Sequence, residues 1–269
     1  MRVSSVFLAV FLAYGASAAC AGSGMGSREL EGKSSRLKPL LQKRPLPQQS
    51  KPVRMLVFTR TQGFRHDSIP DAVRALRELA ATQGWQTDHG EDAAAFTSGN
   101  LSRYEVVVFA NTTGDVFDEA QQRALRAFVE NGGGFVGLHS AADTEYGWPW
   151  YGELVGAWFA SHPPGLQTAE VRFEGSSPVR GEPWRATDEL YNYRSNPRAN
   201  VRVIARVDER GYAGGTMGRD HPIAWCRPVG KGRSWYTGLG HAKAMYAEPT
   251  FRAHVLRGLR FAAGLSGDC

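Results

Sequence analysis

The sequence predicts an α/β fold: an open, mostly parallel sheet with helices on both faces and some antiparallel additions. Three observations carry this expectation. Short, mostly apolar runs recur at Val53–Phe58, Tyr104–Ala110 and Phe135–Leu138, as expected of strands buried on both sides. The segments between them space their apolar residues helically. The resulting β-α-β-α-β order favours a parallel sheet, because parallel neighbours need a crossover helix.

Taken in order, Val53–Phe58 is the first strand. Pro70 suits a first helical turn, where its missing N–H is not needed. Ile69, Val73, Leu76 and Leu79 then form one helical face, and Gly84 ends it. Tyr104–Ala110 is the second strand. Asp118 begins a helix with Leu125, Phe128 and Val129 inward, and Gly132-Gly-Gly134 stops it before the third strand, Phe135–Leu138. That glycine run follows a helix and precedes a strand, the reverse of a phosphate-binding loop. Thr168–Glu174, Val201–Val207, Pro222–Cys226 and Arg233–Leu239 read as further strands, antiparallel or at an edge. Pro249 opens a last helix with Phe251, Val255, Leu259 and Ala262 inward.

Residues 1–52 have a different composition. Arg2, the apolar run Val6–Ala13 and the small residues up to Ala19 describe an export signal over residues 1–19. The run is shorter than the ~20 apolar residues that span a bilayer. Ser17-Ala-Ala-Cys20 resembles a bacterial lipobox with Ser where Leu is usual, so Cys20 is a candidate lipidation site; the alternative is plain cleavage near Ala19. Residues 20–52 are poor in large apolar side chains and read as a flexible tether. The expected location is therefore outside the bacterial cytoplasm, periplasmic or held to a membrane by a lipid. Eight basic and two acidic residues before position 53 account for the whole net charge of +6. The remainder is balanced and lacks the basic excess of a nucleic-acid binder. Cys226 reads as a core residue that could pair with Cys269 after export.

Sites in open α/β sheets gather beyond the carboxyl ends of the strands. Polar loops fall there: Thr59–Asp67, Asn111–Asp115 and His139–Thr144. His139 occupies a strand-to-turn junction where other α/β enzymes place a Ser or Cys nucleophile. Imidazole there can act as acid, base or metal ligand. His66, His162, His221 and His241 are each flanked by turn residues and could converge on it with Glu189. His139, His66, His241 and Glu189 are the catalytic candidates. His139, His162 and His221 are the metal-ligand candidates, for a divalent ion of unspecified identity. Asn111, Asp143, Trp148, Tyr151 and Tyr191 are the substrate-binding candidates, since aromatic faces mixed with polar groups suit sugars. His89 and His254 read as surface or helix residues outside any site.

Together these segments resemble the ThuA-like family, named for trehalose utilisation. The resemblance rests on Thr61–Ile69, Asn111–Asp115, Gly132–Thr144, Trp148–Tyr151, Phe159–Pro163, Asp188–Asn192, Gly218–Cys226 and Gly232–Tyr236 with Gly240-His241. It spans roughly residues 53–264, so residues 53–265 are expected to form one ThuA-like domain. The resemblance implies a flavodoxin-like, class I glutamine amidotransferase-like fold. In that fold His139 stands where the catalytic Cys would be, which argues against glutaminase activity. The family's association with disaccharides and keto-sugars implies a small-molecule carbohydrate partner and action on a glycoside or keto-glycoside by a lyase, hydrolase or isomerase. Two other readings remain open: a carbohydrate-binding lipoprotein without turnover, and a metal-dependent hydrolase of a non-sugar substrate.

Overall fold

The computed structural model describes residues 52–175 and 183–269. The leader, Cys20 and the tether up to Lys51 lie outside the described residues. Within them the expected α/β fold is present, in a nine-stranded mixed sheet. The first half alternates: β1 (Arg54–Phe58), α1 (Ile69–Thr82), β2 (Gln86–Gly90), α2 (Ser98–Leu101), β3 (Val106–Ala110), α3 (Glu119–Glu130), β4 (Gly134–Leu138) and α4 (Pro149–Val155). The second half is mostly strand: β5 (Phe159–Ser161), β6 (Gln167–Phe173), β7 (Trp184–Asp188), β8 (Asn192–Tyr193), β9 (Arg202–Val207), β10 (His221–Val229) and β11 (Gly232–Thr237), closed by α5 (Pro249–Ala262).

The sheet order is β2-β1-β3-β4-β11-β10-β9-β6-β7. The first five strands in that order run parallel, and β10, β9, β6 and β7 continue antiparallel. Every residue of β3 and β4 is buried, which explains their unbroken apolar sequence. The two strands at the ends of that order look different. Gln86–Gly90 is polar and partly exposed, and Trp184–Asp188 alternates buried and exposed residues. Neither carries an apolar run, and both escape the sequence reading for that reason.

Local chemistry supports the helices. Pro70 sits in the first turn of α1. Asp118 and Gln121 form a reciprocal capping box at the start of α3. Among the described residues no helix is long and apolar enough to cross a membrane. Cys226 of β10 and the terminal Cys269 form a disulfide, with Cα atoms 6.3 Å apart.

The topology collects chain ends at one rim. β1, β3, β4, β11 and β7 finish there, and β10 begins there with His221. β7 is four steps from β11, about 19 Å away if the sheet were flat. Yet Asp188 at the end of β7 accepts backbone hydrogen bonds from the loop after β11. The antiparallel half therefore curls back over the parallel half. The small β5–β8 ribbon, whose strands precede β6 and follow β7 in the chain, carries His162 and Tyr191 at its margins.

Candidate functional site

His139 is the first residue after β4 and has a φ of 48°. A left-handed backbone at a non-glycine residue costs about 1–3 kcal/mol, so the surroundings must hold it. They do so from two sides. The Tyr236 hydroxyl donates to the His139 carbonyl at 2.8 Å. Nδ1 of His139 lies 2.8 Å from the Gly238 carbonyl, which can only accept, so Nδ1 carries the proton. That leaves the Nε2 lone pair directed at His241 Nδ1 (3.2 Å) and Glu189 Oε2 (3.4 Å).

Glu189 is the hub. Its Oε2 lies 3.1 Å from His241 Nδ1, and its Oε1 lies 3.2 Å from His162 Nδ1. Asp188, fully buried, sets both arms. Its carboxylate accepts the N–H groups of Gly240 (2.6 Å), Ala242 (2.8 Å) and Glu189 (3.0 Å). One side chain thus ties the loop carrying His241 to the turn carrying Glu189. Gly240 permits this loop: its φ is 119°, and an added Cβ would meet the Tyr246 hydroxyl at 2.8 Å.

His66 completes the group. Its Nδ1 is 3.3 Å from Ser140 Oγ, and its ring stands edge-on to His139 and His241 at 4.9 and 5.1 Å. Burial, helped by the neighbouring His139 and His241, lowers its pKa to about 3, so it is neutral at ordinary pH. Burial works against the Glu189 carboxylate, but the neighbouring His139 and His241 imidazoles outweigh it and hold Glu189 below the usual carboxylate range. The hydrogen bond to Glu189 raises His241, against the opposing effect of burial.

His66, His139, His241 and Glu189 each offer one ligand atom, all within 4.8 Å of one another. Three imidazoles and one carboxylate are the donor types that zinc, manganese or iron take. The geometry tests the fit independently. His139 Nε2 and Glu189 Oε2 are both acceptors and face each other, an arrangement relieved by a proton or a cation between them. Gly238 supplies the outer hydrogen bond that fixes a ligating imidazole's tautomer. The residues fit a divalent cation.

A cavity of about 320 Å³ opens over this group, lined by Phe64, His66, Asp143, Phe159, His162, Glu189, Tyr191 and His241. His139 lies beneath it, fully buried, with the Tyr191 ring 4.1 Å from its own. Burial raises the Asp143 carboxyl, against the opposing bond from the Tyr146 hydroxyl at 2.6 Å.

Of the other sequence candidates, Asn111, Trp148, Tyr151 and His221 lie away from the cavity lining, while Asp143, His162 and Tyr191 belong to it. Asn111 is fully buried, donating to Ser68 Oγ (2.9 Å) and the Gly240 carbonyl (3.3 Å). Tyr151 is fully buried and donates to the Ala141 carbonyl. Trp148 packs against Trp150 and Tyr151, outside the cavity lining. His221 is not brought to the cluster. Its Nε2 meets the Tyr191 carbonyl at 2.8 Å, and its Nδ1 meets Glu209 (2.8 Å) and Tyr212 (2.9 Å). His162 lines the cavity beside the four-donor group. His89 bonds Thr59 from β2, while His254 is buried in α5. Phe64, Phe159 and Asp188 had no assigned role in the sequence reading.

The fold and this rim define a class of protein: an α/β chain with a histidine–carboxylate cluster at the carboxyl ends of its strands, where related folds carry a nucleophile. The chain belongs to the ThuA family, described as trehalose utilisation, whose pattern matches residues 54–262. It is similar to the solved structure of a ThuA-like protein from Bacteroides uniformis, at 22% identity and a TM-score of 0.67. That match covers 81% of this chain and 94% of the other. A ThuA-like protein from Parabacteroides merdae aligns at 23% identity and a TM-score of 0.67, covering 81% and 92%. A β-galactosidase from Rahnella aligns at 18% identity and a TM-score of 0.52, over 80% of this chain and 32% of its own. At these identities the structures establish a shared fold. No match to a curated protein is found.

Proposed function

We propose that this protein is an exported carbohydrate-processing enzyme acting on a glycoside or keto-glycoside. One observation carries the reading: in a chain whose family is named for trehalose utilisation, His66, His241 and Glu189 face one open cavity with His139 directly behind them. Glu189 and His241 form a carboxylate–imidazole pair. Nδ1–H of His241 donates to Glu189, leaving Nε2 as the nitrogen able to take or give a proton. His66 stays neutral beside it. Asp143, held by Tyr146, offers an oxygen to a substrate hydroxyl. His66, His139 and Glu189 would hold a divalent cation, which would supply Lewis acidity to stabilise charge on a substrate oxygen while His241 stays free for proton transfer. Proton removal beside a keto group by His241 suits elimination, epimerisation, or hydrolysis that proceeds through elimination.

The export part of the reading rests on the leader pattern and on the Cys226–Cys269 bridge, a linkage that persists in oxidising compartments. Mass spectrometry of the protein from a bacterial membrane fraction would show a lipid on Cys20 or a free end near Ala19. An unprocessed chain in the cytoplasm contradicts export.

Turnover of 3-keto-glucosides, measured with and without chelator, tests the chemistry. Wild type is expected to be active and His241→Ala to lose at least 100-fold in kcat. Binding without turnover leaves a carbohydrate-binding protein. Hydrolysis of esters or amides in place of sugars points to a different substrate class. If wild type and His139→Ala are equally inert on the sugar panel and neither binds zinc or manganese, the enzymatic reading falls.

A further inference from the structure

Phe64 does nothing for the core. It is 66% exposed, one of two large apolar side chains left so open among the described residues. Leaving a phenyl ring in water forgoes the stabilisation that burying it would bring. Its backbone, however, is firmly held. Gln62 N–H donates to the Thr113 carbonyl at 2.7 Å, Gly63 N–H donates to Thr113 Oγ1 at 3.1 Å, and Thr113 Oγ1 donates to the Phe64 carbonyl at 2.9 Å. Gly114 makes that clamp sterically feasible. Its φ is 74°, and an added Cβ would lie 2.9 Å from Gln62 Cβ. A rigid loop therefore presents an open ring at the cavity.

The ring is one end of a continuous series of contacts. Phe64 meets His66 at 4.9 Å, His66 meets His139 at 4.9 Å, His139 meets Tyr191 at 4.1 Å and Tyr191 meets Phe159 at 4.3 Å. The lining thus begins and ends on phenyl groups, with acid–base groups between. Asp143 belongs to the same lining; its Oδ1 is taken by Tyr146, and Oδ2 has no hydrogen-bond partner among the described residues. A purely apolar ligand would leave Asp143 unsatisfied, and a purely polar one would gain nothing from Phe64. A ring with a C–H face and a hydroxyl edge uses both.

We propose that Phe64 is a substrate-positioning residue that stacks on the C–H face of a pyranose ring whose hydroxyl edge reaches Asp143. The inference rests on the carbohydrate reading above and adds the residue that orients the sugar. At about 320 Å³ the cavity is at the small end for ligand sites, so one ring enters and the rest of a glycoside stays outside.

Calorimetric titration of the full chain with methyl α-glucopyranoside and with trehalose tests this, using wild type, Phe64→Ala and Phe64→Trp. Phe64→Ala is expected to weaken binding about 5- to 30-fold, and Phe64→Trp to restore most of it. Tm and zinc affinity should stay at wild-type values in both, because the side chain is open and outside the donor set. NMR contacts from the Phe64 ring to sugar C–H protons should appear in wild type. Wild-type sugar binding that Phe64→Ala leaves unchanged overturns the stacking role while the carbohydrate reading stands. Sugar binding that falls together with Tm or zinc affinity marks a structural role and also overturns it. Wild type that binds neither sugar overturns both.

Discussion

Asp188 is not part of the cavity lining, yet it fixes two side chains that are. Replacing one of its oxygens by an NH2 sets a donor against a backbone N–H. Asp188→Asn is therefore expected to lose about 1–3 kcal/mol of stability in urea unfolding. It should also lower zinc affinity about 10- to 100-fold, because His241 and Glu189 are no longer held together. An unchanged zinc affinity in a folded variant would deny Asp188 this role. Glu189 gives a second prediction at this scale, for chelated protein. His241 is raised by its bond to Glu189, so its contribution is full below its unfolded value of 6.5 and is lost as pH rises through its folded value. Glu189 is depressed, so its contribution is full above its unfolded value of 4.5 and is lost as pH falls through its folded value. The stability advantage of wild type over Glu189→Gln should be greatest between pH 4.5 and 6.5, and the NMR titration midpoint of His241 should fall in the variant. Much of this cluster was readable because His139, His66, His241 and Glu189 sit beside strand ends. Asn111 shares such a position and Tyr151 lies in α4, but both turn inward, and no residue type in the sequence says which way a side chain turns. Phe64 escaped because an exposed phenylalanine looks like any other in a sequence.

At the scale of elements, apolar runs found the strands with both faces covered and missed those without such runs. β3 and β4 announce themselves. β2 is Gln-Thr-Asp-His-Gly, paired along one side only, and it shows no periodicity to read. β5 and β8, of three and two residues, are below the length at which a pattern exists. Helix α5 was placed from Pro249 and its apolar face, but His254 belongs to that buried face. It packs against Trp235 at 4.7 Å and Phe173 at 5.4 Å, and its Nε2 has no hydrogen-bond partner among the described residues. Burial, with Arg257 nearby, lowers its pKa to about 3. The unfolded chain takes up this proton near pH 6.5 and the folded chain does not, so stability drains as pH falls from 6.5 towards 3. The full effect is on the order of 5 kcal/mol. His254→Leu should flatten this part of the acid branch in urea midpoints measured from pH 7 to 4. A parallel slope in both proteins would show that His254 ionises without penalty.

Across the whole molecule, sheet order and curl explain how residues from 64 to 241 share one cavity. Parallel strands deliver their carboxyl ends to one rim. The antiparallel half returns β7 and the β5–β8 ribbon to that rim, bringing Glu189, Tyr191 and His162. The first half of this arrangement follows from the β-α-β order in the sequence. The second depends on pairing between strands distant in the chain, which local patterns do not encode. The Cys226–Cys269 bridge secures a different region. Cys226 lies five residues along β10 from the rim residue His221, and the bridge closes a separation of 43 residues. A loop of that length, once linked, restricts the unfolded chain by about 4 kcal/mol in the entropic account, and measured values run about 2–4. Cys226→Ala with Cys269→Ser should therefore lower stability by about 2–4 kcal/mol. Zinc affinity should stay within twofold of wild type, because no ligand loop is attached through the bridge. Chemical unfolding followed by zinc titration of the double variant separates the two effects. A large loss of zinc affinity at temperatures where the variant is folded would mean that the far end of β10 is mechanically coupled to the rim, contrary to the rigid sheet this topology implies.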